Sequence, residues 1–209
     1  MPPVFGAVFL WLSATILWWS GWREEATEDI PHWAVGVFLS GWPLALLVNV
    51  RLTPSFSING AWIWMLLGIT IMAWRIPSVR RWTSVSGGIL VGSAYILIYR
   101  LAYYPSGFSH FLAPWGAAML VGWLSALLLR NVSEQVLAVS CGLYFSALLT
   151  ALTHGSTEPD ALVRASEWMQ GWWIAVLFAR LWSVTVRNVS DQTKRWSFKL
   201  GGKRGGQRS

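Results

Sequence analysis

Charge is scarce in this chain: only 12% of residues are Asp, Glu, Lys or Arg, about half the share usual in a soluble domain. A single cysteine, Cys141, excludes disulfide frameworks, paired-thiol redox motifs and thiolate zinc sites. No Lys precedes Lys194, which excludes a retinal-type Schiff base inside the hydrophobic part. No Asp or Glu falls inside a long apolar stretch, so the carboxylate relays of proton pumps and many ion-coupled transporters have no counterpart. HExxH, Walker and GxSxG motifs are absent too. The nearest approach to a serine nucleophile is Gly122-Trp-Leu-Ser125 with a distant His154. It lacks the strained elbow, and the two groups belong to opposite ends of their stretches.

What is present is apolar. Hydrophobic residues make up 55% of the chain, and 17 Trp stand against nine acidic residues. So few charges cannot cover so much apolar surface in water, and disorder needs the opposite composition. The class implied is an integral membrane protein. A crossing needs about 20 predominantly apolar residues, and seven stretches qualify: 4–22, 33–50, 58–74, 83–104, 108–129, 135–153 and 169–186. Their runs are continuous rather than alternating, which selects helices over a barrel. The expected fold is therefore all-α, a polytopic transmembrane bundle of about seven spans over 1–186, followed by a basic, largely disordered tail over 187–209. The opening MPPVF has no basic residue, so the first stretch is expected to be kept as a span rather than removed as a signal peptide.

Cationic residues set the orientation. With the N-terminus outside, the inner segments hold Arg23, Arg75, Arg80, Arg81, Arg130 and seven tail residues, twelve in all. The outer segments hold three: Arg51, Arg100 and Arg164. The reading is N outside and C inside, in a bacterial cytoplasmic membrane. The sequons at Asn131 and Asn188 then lie inside, and no glycan is inferred.

Small residues four apart form stripes on the last four stretches: Ser84, Gly88 and Gly92; Ala118, Gly122 and Ala126; Ala138, Gly142, Ser146 and Thr150; Gly171, Ala175, Ala179 and Ser183. Such stripes let helices approach closely in lipid, and packing within one bundle is the expected use. Trp22, Trp33, Trp74, Trp82 and Trp168 fall at stretch ends, where indole rings favour the interface. The run Arg130-Asn-Val-Ser-Glu-Gln135 returns as Arg187-Asn-Val-Ser-Asp-Gln192, each after a stretch; Arg ends the span, and Asn131 or Ser133 is placed to cap the next helix.

Candidate sites are few. Arg100, Tyr103, Tyr104 and His110 gather near one outer end and suit an anionic headgroup or substrate. His110 and His154, with Glu158 and Asp160 near in sequence, could in principle hold a metal, but lone interfacial His residues are usually just solvated. No catalytic residue, cofactor or metal is assigned. Arg100 and Arg180 lie near stretch ends, within reach of headgroups. The tail interleaves charge and aromatics in Lys194, Arg195, Trp196 and Lys199, and carries a net +6 beyond 186. Anionic lipid of the inner leaflet is its expected partner rather than nucleic acid. A membrane-protein partner is also open.

The Trp-rich opening Phe9-Leu-Trp-Leu-Ser13 and the path from Tyr99-Arg100 through Tyr104-Pro105 to Pro114-Trp115 resemble the YphA-type multi-pass membrane proteins of spore-forming bacteria. That resemblance implies a multi-pass membrane protein and carries over no catalytic residue. The function expected is non-catalytic, exercised through lipid or protein partners. The alternative is a small transporter, or the substrate-binding subunit of one, for a neutral or anionic solute. A deep polar cavity would favour the alternative, and a tightly filled bundle the first reading.

Overall fold

The computed structural model describes residues 3–21, 29–53, 56–102, 115–154 and 161–204, with side chains over 4–21, 29–50, 59–98, 115–149, 168–190 and 192–193. Among the described residues there are seven helices. These are α1 (Pro3–Trp19), α2 (His32–Leu46), α3 (Gly60–Arg75), α4 (Ser78–Ala102), α5 (Gly116–Leu128), α6 (Val132–His154) and α7 (Ala161–Arg204). Each stands on one of the seven apolar stretches. The fold is an all-α bundle with one short hairpin, β1 (Asn49–Thr53) paired antiparallel to β2 (Phe56–Asn59).

The contacts fix the direction of every helix. Trp11 stacks on Trp42 and Trp18 lies over Gly36, so α1 and α2 are antiparallel. Gly68 meets Phe38, and Asn59 reaches Leu46, so α3 reverses again. On α4 and α6, Gly88 meets Ala138 and Gly92 meets Gly142; the numbers rise together, so the two run parallel. Ala118 lies by Gly171 and Gly122 by Ala175, so α5 and α7 are parallel as well. Gly6 against Gln170 aligns α1 with α7. Odd helices point one way and even helices the other: a strict up-and-down bundle.

The small-residue stripes are where backbones touch. A Cβ added at Gly88 would sit 2.7 Å from the Ala138 carbonyl oxygen, and one at Gly92 would sit 2.9 Å from Gly142 Cα. One at Gly122 would lie 3.1 Å from the Ala175 carbonyl carbon. The stripes of α4–α7 thus pack within the bundle, as the spacing implied. The centre of the α1–α2–α3 side is aromatic instead: Trp42 is fully buried, 5.7 Å from Trp173 edge to face, with Met65 beside it in the same core.

Two stretches end differently from expectation. Helix α2 stops at Leu46, and the chain pairs with itself as the hairpin before α3. Asn59 holds that corner: its amide donates to Leu46 O at 3.0 Å and to Asn49 Oδ1 at 3.1 Å, while its own oxygen caps α3 through Ala61 N at 2.9 Å. The basic segment after 186, expected to be largely disordered, continues α7 through Arg204. Among the described residues, by length and composition one helix, α6, passes as a membrane crossing over Val132–Leu149; α1, α2, α3 and α5 are apolar but shorter.

Candidate functional site at the polar end of the bundle

One end of the bundle gathers nearly all the described charge. It is built from Asp29 just before α2, the α3–α4 turn, the α5–α6 turn and the facing part of α7. Helix α6 starts there with the run noted in the sequence, and four of its six residues reach other groups. The Asn131 amide donates to Glu134 Oε1 at 2.9 Å, and Ser133 Oγ donates to the Asp29 carboxylate. Glu134 faces Arg80 Nε at 3.7 Å. Gln135 is buried and donates twice through Nε2, to Leu129 O at 2.8 Å and to Ser183 Oγ at 2.9 Å. One short motif therefore ties α6 to α4, to the residues before α2, and to α7.

The electrostatics differ across the network. Glu134 is 11% exposed at its side chain and Arg80 62%, so the carboxylate is nearly desolvated while its partner remains in contact with the surroundings. A pair so placed is worth little by itself. Its value lies in keeping Glu134 satisfied. Gln135 Oε1 is buried with no hydrogen-bond partner, although both amide hydrogens are used. Arg180 lies one turn before Ser183 on α7 and is buried too. That burial corrects the expectation that it reaches outward to headgroups. Ser125 is fully buried and donates to Val121 O at 2.9 Å.

Among the described side chains, the opposite end is aromatic. Tyr144 donates to Trp62 O at 2.8 Å, and its ring lies 4.6 Å from Trp168 and 4.5 Å from Trp62, two rings that are themselves 5.9 Å apart. Tyr103, Tyr104 and His110 lie outside the described residues, as does the Arg100 side chain, although the α4 backbone includes position 100. His154 is described in its backbone only, and Glu158 and Asp160 not at all. Among the described residues no three His, Cys, Asp or Glu come together as a metal site. Lys194, Arg195, Trp196 and Lys199 are carried on the α7 backbone, their side chains outside the description.

No family model, curated protein or solved structure matches the chain. The likeness to YphA-type proteins rests on the quoted residues alone.

Sequence reasoning passed over Asp29, Arg80, Gln135 and Ser183 as a group. Each was visible as a residue near a stretch end. Only the repeated run at 130–135 signalled that something was held there. Its echo at 187–192 does another job: residues 187–190 are exposed on a continuous helix and cap nothing.

Proposed function

We propose that the chain is a multi-pass integral membrane protein, its seven helices crossing a bacterial cytoplasmic membrane with the N-terminus outside. It acts without catalysis, through lipid or protein partners. The observation that carries this reading is the polarity of the outward faces. On α1, Phe5, Phe9, Leu12 and Ile16 form an exposed stripe, with Phe5 at 69%. On α3 it is Ile63, Leu66, Leu67 and Ile71; on α5, Met119, Trp123 and Leu127. These spacings of three and four mark one helix face each. In water that face would be polar, since soluble monomers rarely expose large contiguous apolar patches. A hydrocarbon surrounding satisfies it.

The up-and-down direction of the helices supports the same reading. Residues 75–81 and 130–135 share one end of the bundle and the hairpin lies at the other, in keeping with the arginine bias behind N outside and C inside. The close backbone approach of α4 to α6 and of α5 to α7 supports a filled, non-catalytic bundle over a solute carrier. Resemblance to YphA-type proteins agrees with this assignment.

Fractionation tests it. The protein should stay in the membrane pellet through a wash at alkaline pH and leave only with detergent. Release by the wash alone would mean that a partner protein, not lipid, covers the apolar faces.

A further inference from the structure

The α3–α4 turn, Trp74-Arg-Ile-Pro-Ser-Val-Arg-Arg-Trp82, is the most unusual surface at the polar end. Trp74 is 81% exposed, Val79 77% and Trp82 69%. Three arginines are interleaved with these side chains. Arg81 is used internally: its Nη2 donates to Trp74 O at 3.3 Å and to Ile76 O at 3.1 Å, closing the end of α3. Arg75 lies with its Cζ 5.8 Å from the ring centroid of Trp33, a cation over an aromatic face. Arg80 gives one edge to Glu134 and remains largely exposed. Arg130, also exposed, is the residue before Asn131, whose amide holds Glu134.

Besides the buried Arg180, four arginines and two described carboxylates lie at this end, and both carboxylates are engaged, Asp29 by Ser133 and Glu134 by Asn131 and Arg80. The positive excess has no counter-charge among the described residues. The apolar groups on the same turn set its depth. Exposed Trp and Val suit the acyl–headgroup boundary, which places the guanidinium groups at the level of lipid phosphates. Guanidinium is built for phosphate oxygens, with several donors in one plane.

We propose that the α3–α4 turn binds the headgroup of an acidic phospholipid from the surrounding bilayer. Arg75 and Arg80 contact the phosphate, Arg81 holds the turn, and Trp74, Val79 and Trp82 lie beside the acyl chains. The proposal rests on the membrane assignment above. It is independent of the basic segment beyond 186.

Native mass spectrometry of the full-length protein, purified from membranes in mild detergent, tests it with phosphatidylglycerol and phosphatidylcholine as probes. Wild type should retain one phosphatidylglycerol in preference to phosphatidylcholine. Each removed cation should weaken retention about fivefold, so Arg75→Gln with Arg80→Gln should lose about thirtyfold. Arg75→Lys with Arg80→Lys should lose much less, and Arg80→Gln alone should show the fivefold step. Equal retention of the two lipids by wild type would overturn the proposal. So would unchanged retention in the double Gln variant, or loss confined to a variant with Lys194, Arg195 and Lys199 changed to Gln. Recovery of the protein without detergent would instead overturn the membrane assignment itself.

Discussion

Replacing Gly92 with Ala puts one methyl group where two backbones already touch. The added Cβ would overlap the Gly142 carbonyl oxygen and lie 2.9 Å from Gly142 Cα. Neither is the end of a flexible side chain, so α4 and α6 must separate. Overpacking of this kind costs about 1–3 kcal/mol, and rigid backbone on both sides argues for the upper part, roughly 3 kcal/mol. Ala gains about 1 kcal/mol over Gly in a helix interior. The net loss is about 2 kcal/mol, or about 4–8 °C in Tm for a chain of this length. Gly87 supplies the control on the same helix, since its added Cβ would meet only Leu129 Cδ1 at 3.9 Å. Gly87→Ala should keep the propensity gain and raise Tm by about 2–4 °C. Thermal unfolding of both variants in one detergent reads the difference. Equal midpoints, or a Gly92→Ala variant as stable as the wild type, would refute the packing of α4 on α6 through this glycine.

Gln135→Ala removes a buried amide that donates to Leu129 O and Ser183 Oγ; it should cost about 1–3 kcal/mol, measured by the same unfolding. Tyr144→Phe deletes only the bond to Trp62 O and should cost about 1 kcal/mol, so a loss several times larger would mean that the aromatic cluster itself is displaced. A double-mutant cycle on Arg80 and Glu134 should give a coupling below about 1 kcal/mol, because Arg80 is mostly exposed. Changing Lys194, Arg195 and Lys199 to Gln should lessen the salt sensitivity of the full-length protein's binding to anionic lipid, since each attraction is screened over about 8 Å at physiological salt. Unchanged salt dependence would free the basic end of α7 for another partner.

The seven helices were legible because long continuous apolar runs are local signals. So were the contact stripes, since Gly88, Gly92, Gly122 and Gly142 fall at helical spacing and only close approach explains that. The hairpin was not. Nothing local distinguishes Asn49–Thr53 from the end of an apolar helix, and the corner depends on Asn59 reaching back to Leu46. The polar network was half legible. Its run at 130–135 stood out, but its partners Asp29, Arg80 and Ser183 are brought to it only by the bundle. Arg180 shows the same limit, because a cation near a stretch end reads as peripheral until the helices closing over it are known.

Cysteine accessibility from the two sides of the membrane tests the central claim most directly. The chain's one thiol, Cys141, is first changed to Ala. Val50 on the hairpin and Arg130 in the α5–α6 turn are both exposed, at opposite ends of the bundle. An impermeant thiol reagent should label Val50→Cys in intact cells and Arg130→Cys only after the membrane is opened. Labelling of both in intact cells, or of Arg130→Cys alone, would contradict the proposed crossing and its orientation.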